Sequence, residues 1–180
     1  MHDNKSLNNR DTKQLFKITS KIDVGFVGAM ISHYRDEGIT LLQTKNISSF
    51  FISDTDAVKI TSAFHGELKK SQIFFEDILI ARSGSFGKAS IYLEKETINS
   101  SDIIIIQANK LEINPYYLTV FLNSNLGVNQ MLRFASGGLQ GHVNLTILEE
   151  LKVPSLAEKI SVKNRRFIQR SIFKTEKCKK

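Results

Sequence analysis

This chain of 180 residues has no tryptophan, one cysteine, two prolines and four histidines. Each shortage closes a class of function. A lone cysteine, Cys178, can neither form an internal disulfide nor anchor a cysteine metal cluster. His2, His33, His65 and His142 fall at no metal-binding spacing, so no metal and no cofactor is expected. No apolar run approaches the roughly 20 residues that span a bilayer. The polar start, residues 1–13, lacks the apolar centre of a signal peptide. A cytoplasmic protein with no membrane contact is expected. A hydrolase would need a nucleophile with a base beside it. Cys178 lies in a basic tail, and no serine sits in a nucleophile elbow.

Two partial motifs also fail. Gly87-Lys88 resembles the end of a phosphate-binding loop, but that loop needs glycine five residues before Gly87 and a hydroxyl residue after Lys88. Those positions hold Arg82 and Ala89. Asn114-Pro115-Tyr116-Tyr117 approaches the Asn-Pro-Pro-Tyr signature of adenine methyltransferases, but the second proline is missing and no glycine-rich cofactor loop follows an upstream strand. Helix capping accounts for Asn114-Pro115, and the chain is expected not to be an enzyme.

What is present supports one folded unit. A hydrophobic content of 41% is enough for a core. The net charge of +7 is unevenly placed: residues 159–180 hold nine of the 25 basic residues and one of the 18 acids. The other 158 residues carry 16 basic against 17 acidic side chains, so polyanion contact there must come from local clusters.

The chain divides into a flexible leader at 1–13, a globular domain at 14–157 and a basic helical segment at 158–180. Within the domain, Ile39–Ile47 reads as a strand into a turn, and Phe50–Ile60 as extended chain broken by Asp54 and Asp56. Thr61–Ser71 reads as irregular and polar. Ile103-Ile104-Ile105-Ile106 fits a strand buried on both faces. Asn114 can cap a helix from Pro115 to about Asn125, which Gly127 could close, and Val128–Ala135 fits a second helix. Thr146–Leu151 reads as a short helix and Lys152-Val153-Pro154 as an edge strand. Phe74, Phe75, Phe121 and Phe134 read as core.

The most informative stretch is Phe74-Phe75-Glu76-Asp77-Ile78-Leu79-Ile80-Ala81-Arg82-Ser83-Gly84-Ser85-Phe86-Gly87-Lys88. It reads as a strand and a glycine turn, followed by a second strand at Ala89–Leu93. The turn would hold Arg82, Ser83, Ser85 and Lys88 on a rigid base, a suitable way to offer donors to a polyanion. Arg82 can fork onto guanine or phosphate, or else pair with Asp77 or Glu76. Gln140, His142 and Asn144 alternate beside three glycines and have side chains that can read base edges, though Asn144 could equally cap the next helix. Lys45-Asn46 and Lys69-Lys70 are surface pairs or phosphate contacts.

Four segments in one order resemble the target recognition domain of type I restriction–modification specificity (S) subunits. Tyr34…Gly38-Ile39…Leu42…Thr44-Lys45-Asn46-Ile47 is similar to the family's "Y..GI..L.T.NI" element. The hairpin is similar to "GDIL…R.G..G", with Glu76-Asp77 where Gly-Asp is commoner. Pro115…Tyr117-Leu118…Leu122-Asn123-Ser124…Gly127 resembles "P.YL…LNS..G". Gly137-Gly138…Asn144-Leu145…Leu151-Lys152-Val153-Pro154 resembles the close into "L..L.IP.P". Ser155-Leu156-Ala157-Glu158 departs from the family's "P.P…Q" approach to the following helix.

The resemblance implies an α+β fold, a single recognition domain with a strongly bent mixed sheet, followed by the start of a long coupling helix. It implies a non-catalytic subunit that binds one half of a split target in double-stranded DNA. Its partners would be a DNA methyltransferase subunit, with the restriction subunit as a further one, and a second recognition domain, supplied by dimerisation or within a longer chain. The implied DNA-binding set is Lys45, Asn46, Lys69, Lys70, Arg82, Ser83, Ser85, Lys88, Gln140, His142 and Asn144. The rival readings are an RNA-binding or protein-interaction module without catalytic activity. An RNA module should carry aromatics on an exposed sheet face.

Overall fold

A computed structural model describes residues 12–82, 87–135, 143 and 145–155. In chain order, the first half contains β1 (Thr12–Gln14), β2 (Thr19–Val24), β3 (Tyr34–Arg35), β4 (Ile39–Gln43), β5 (Ile47–Ser48), β6 (Phe51–Ile52), β7 (Val58–Ile60) and α1 (Ser62–Glu67). The second half contains β8 (Gln72–Ile73), β9 (Ile78–Ala81), β10 (Ala89–Ile91), β11 (Ile98–Ser101), β12 (Ile103–Ala108), α2 (Pro115–Asn123), α3 (Asn125–Ala135), α4 (Leu145–Glu149) and β13 (Lys152–Pro154).

The two larger sheets are a four-stranded one, ordered β10-β9-β12-β2, and a five-stranded one, ordered β3-β7-β4-β11-β8. The first is antiparallel throughout. The second is mixed, because β11 runs parallel to β4 and antiparallel to β8. Strands β11 and β12 are one run of chain interrupted at Asp102, whose φ is +54°. The expected bend is therefore a join: the chain leaves one sheet and enters the other through a single left-handed residue. Aspartate is among the few non-glycine residues that visit this conformation readily.

The isoleucine run does what its lack of alternation suggests. Ile104 and Ile106 face a core shared with α2, α3 and α4, through Leu118, Phe121, Leu122, Met131 and Leu148. Ile103 and Ile105 face the opposite way, toward Leu42, Ile47, Ile73 and Ile98. Strand β9 divides likewise, Ile78 and Ile80 to the helices, Leu79 and Ala81 to the second core. A third cluster, Met30, Leu41, Ile60 and Phe64, includes Phe64 of α1.

Helix α2 begins as expected. The Asn114 side chain accepts from the Tyr116 and Tyr117 N–H groups at 2.9 and 3.3 Å, with Pro115 in the first turn. Gly127 does not close the helix. It lies inside α3, where a Cβ would come within 2.3 Å of the Phe121 carbonyl oxygen, so it permits the close packing of α3 on the end of α2. Thr61–Ser71 is less irregular than expected, because the Thr61 hydroxyl accepts from Phe64 N–H and starts α1. The end of the expected leader is also in the fold, as Thr12 and Lys13 in β1 pair with Pro154 and Val153 of β13. That pairing confirms the expected edge strand. The expected helix at 158–180 lies outside the described residues.

Candidate nucleic-acid interface

Strands β9 and β10 form the expected hairpin, with Ala89 opposite Ile80 and Ile91 opposite Ile78. The Ala81 N–H donates to the Lys88 carbonyl at 3.0 Å, so the ladder continues to the residues that flank the turn. Gly87 has φ +70°, the left-handed conformation that favours glycine. Lys88 is exposed. Ser83 and Ser85, in the turn itself, lie outside the described residues, as does Gly84.

Arg82 stands where the hairpin meets the join between the sheets. Its Nη1 donates to Oδ1 of Asp102 at 2.8 Å, and the two side chains are 29% and 40% exposed. The expected partners, Asp77 and Glu76, are at the other end of β9. Asp77 accepts from Phe74 N–H at 2.8 Å and from Gln107 Nε2 at 3.3 Å, while Glu76 pairs with Lys110. Strand β12 explains the exchange: Ile103 lies opposite Ala81, so the residue before Ile103 comes level with Arg82.

Other loops reach the same join. The Thr44 hydroxyl donates to the Asp102 carbonyl at 2.7 Å, bringing the turn Thr44–Asn46 beside it. The Asp102 N–H donates to the Phe26 carbonyl at 3.2 Å. The Val143 N–H donates to the Arg82 carbonyl at 3.2 Å, so the residue between His142 and Asn144 in sequence lies against the hairpin arm. Gln140, His142 and Asn144 themselves lie outside the described residues.

The two residues of the Lys45-Asn46 pair have different fates. Asn46 is 1% exposed. Its amide accepts from Gln43 N–H at 2.8 Å and donates to Ser53 O at 2.8 Å and to Asp56 Oδ1 at 3.0 Å. It holds the loop from inside and has no surface to offer a ligand, so it leaves the expected set. Lys45 is exposed and pairs with Asp56 at 3.1 Å, and the ammonium holds that carboxyl below the usual carboxylate range. Lys69 and Lys70 are exposed in a turn at Lys69–Ser71. The Lys70 carbonyl accepts from Lys21 Nζ of β2 at 2.8 Å. Of the expected cations only Arg82 bonds to Asp102; Lys88 lies next to it through the hairpin ladder and Lys45 through its neighbour Thr44, and no described contact links the Lys69-Lys70 pair to this join.

The sequence reading missed Thr44 and Asp102 as organisers of the site. Thr44 belongs to the element at residues 34–47 that carries the family resemblance, whereas Asp102 gives only a weak signal, a lone acid between serines and isoleucines. The reading also misplaced two aromatics. Phe74 and Phe75 are 43% and 48% exposed, on the turn between β8 and β9, whereas Phe121 is buried; the Phe134 side chain lies outside the described residues. The turn leaves Phe74 and Phe75 off any sheet face, so their exposure does not build the stacking platform of an RNA module. Among the described residues no group of acids, histidines and cysteines could hold a metal, and no helix is long and apolar enough to cross a membrane.

Residues 7–174 match the family model described as the type I restriction modification DNA specificity domain. No curated protein sequence matches. Three solved structures are similar in fold. One is a chain from a study of complex assembly and conformational transition of the type I R-M system, with TM-score 0.65 and 11% identity over 99% of this chain and 43% of that one. The HsdS subunit from Thermoanaerobacter tengcongensis gives TM-score 0.63 and 11% identity over 99% of this chain and 42% of its own. The type I restriction-modification S subunit from M. genitalium gives TM-score 0.61 and 16% identity over 92% and 40%. This chain thus spans about two fifths of each of those chains. With the family model matching nearly its whole length, the chain belongs to the type I restriction–modification DNA specificity domain family.

Proposed function

We propose that this chain is one DNA-reading unit of a type I restriction–modification specificity subunit. It binds one half of a split target in double-stranded DNA and carries no chemistry of its own. A methyltransferase subunit, joined by a restriction subunit, works on the DNA that this unit holds, and the cofactor belongs to those partners. A second unit, on the same chain or on another copy, reads the other half-site. The expected compartment is the cytoplasm, where the DNA is.

The observation that carries this reading is the placement of basic residues of the hairpin and of the Thr44–Asn46 turn beside one join at the ends of buried strands. Arg82 and Lys88 flank the hairpin turn, and Lys45 lies one residue from a side chain bonded to Asp102. Strands buried on both faces give such loops a base that does not move with them. Two linked units raise each other's effective concentration, so a lone unit should bind weakly.

The test is to express the chain with the methyltransferase subunit from the same source and measure duplex binding across salt concentrations. The complex should copurify and bind duplex DNA more tightly than the chain alone, and affinity should fall steeply with salt. Removal of residues 159–180, with nine basic side chains, should flatten that salt dependence. Methyl transfer by the chain free of other subunits would overturn the non-catalytic reading. Tighter binding to single-stranded RNA than to duplex DNA would favour the rival module.

A further inference from the structure

The described bonds to Asp102 involve its carbonyl, its N–H and its carboxylate. Its carbonyl accepts from the Thr44 hydroxyl at 2.7 Å, its N–H donates to Phe26 O at 3.2 Å, and its carboxylate accepts from Arg82 Nη1 at 2.8 Å. The two backbone bonds and the φ of +54° fix where the carboxylate stands. The carboxylate in turn fixes one corner of the guanidinium. Arg82 Nε is buried and, among the described residues, has no hydrogen-bond partner. With Nε buried and Nη1 held by Asp102, the plane of the guanidinium is constrained before any ligand arrives, while the side chain keeps 29% of its surface exposed.

A phosphate does not ask for that arrangement. It accepts from a cation in many orientations, and a neighbouring carboxylate weakens its binding by repulsion. Guanine does ask for it, because O6 and N7 need two donors in one plane at a set angle. An arginine aimed in advance also loses less freedom on binding. We propose that Asp102 is the positioning residue of the DNA interface and aims Arg82 at a guanine. This rests on the reading above, in which Arg82 faces DNA.

The test uses the assembled complex with its methyltransferase partner and a pool of randomised duplex DNA, sequenced before and after capture. Asp102→Asn keeps a residue that tolerates left-handed backbone. Asp102→Gly suits that backbone better and removes the side chain altogether. Both should lose a guanine preference at one position by about tenfold, with the other positions kept. Affinity for an unrelated duplex should hold or rise, because a negative charge has gone. Arg82→Ala should lose the same position.

A uniform loss over all sequences, together with a lower melting temperature in both Asp102 variants, would make the residue merely structural and overturn the proposal. So would a guanine preference kept in both Asp102 variants but lost in Arg82→Ala, an outcome that leaves the DNA-reading role of Arg82 standing. A preference that survives Arg82→Ala itself would remove Arg82 from the interface and take that role down as well.

Discussion

At one end of strand β9, Glu76 takes φ +68° and pairs with Lys110; at the other, Arg82 pairs with Asp102, which takes φ +54°. Both ends use a non-glycine left-handed residue and an acid–base pair, yet they do different work. At the Glu76 end the neighbouring Asp77 is 4% exposed and its carboxylate closes the turn by accepting from Phe74 N–H. The Glu76 N–H donates to Tyr92 O at 2.7 Å, which ties the turn to the residue just after β10. Polar groups there point inward and are consumed by the fold. At the Arg82 end the pair is partly open to solvent, Lys88 is exposed, and the segments around it meet at a seam between sheets. One strand therefore has a structural end and, in the function proposed above, a binding end. The difference lies in where the polar atoms point, not in which residues supply them.

The largest effect should come from the structural end. Asp77→Ala empties a buried position and leaves the Phe74 N–H and the Gln107 amide without their acceptor, which should cost about 1–3 kcal/mol of stability. Asp77→Asn keeps an acceptor and should cost less. The two also differ in pH dependence. Burial pushes the Asp77 carboxyl above its ordinary 3.8. The folded state then binds more protons than the unfolded one, so this group's contribution to stability falls as pH rises through the window that starts near 3.8. Asn at this position removes that slope. Thermal melts of wild type and Asp77→Asn from acid to neutral pH would check it: the variant should gain on wild type as pH rises. A constant gap would mean that the carboxyl is not perturbed. DNA affinity per folded molecule should not change in either variant, and a loss there would break the division between the two ends.

The binding end should behave in the opposite manner. Lys88→Ala removes an exposed cation whose side chain takes part in no described contact, so stability should change by no more than about 0.5 kcal/mol. If Lys88 touches phosphate, affinity should fall on every sequence alike, and the salt slope should drop by about one. Lys45→Ala is the sharper case, since Lys45 already pairs with Asp56. An exposed pair of this kind contributes little to stability. Loss of DNA affinity without loss of stability would therefore add Lys45 to the interface. Titrating binding against salt for both variants separates a phosphate contact from a bystander.

The same contrast explains how much could be read from the sequence. Strands β9 and β12 were legible because Ile78-Leu79-Ile80 and Ile103–Ile106 have no polar alternation, and burial on two faces is what removes it. Helix α2 was legible from Asn114-Pro115. Helix α1 was not, because six residues with a single buried side chain, Phe64, give periodicity nothing to repeat. Phe74 and Phe75 read as core because they precede a strand, but the left-handed backbone at Glu76 turns the chain before the strand begins. In the candidate site, Arg82, Lys45 and Lys88 were legible as cations beside turns. Asn46 read as a surface donor because nothing local reveals that Ser53 and Asp56 fold back onto it. Asp102 was hidden for a related reason: its partners Arg82, Thr44 and Phe26 lie 20, 58 and 76 residues away in sequence, and only the tertiary fold brings them together.

The smallest effect, and the finest test of the structural end, is at Glu76. Glycine is commoner at this place in the resembling hairpin, and the backbone shows the reason, since φ +68° costs a side-chain-bearing residue about 1–2 kcal/mol. Glu76→Gly removes that cost. It also loses the Lys110 pair, in which the lysine is 61% exposed and the contribution correspondingly small. In addition, glycine frees the unfolded chain, at about 0.5–1 kcal/mol. These terms nearly cancel, so the variant should match wild type or exceed it by up to about 1 kcal/mol. Glu76→Val should fall below wild type, because a β-branched side chain tolerates this conformation least. Thermal or urea unfolding of the pair would check the ordering glycine, glutamate, valine. If valine equals glutamate, the turn is not held left-handed, and the buried closure at Asp77 would need another account. DNA binding should be the same in all three, since nothing at this end of β9 reaches the join at Asp102.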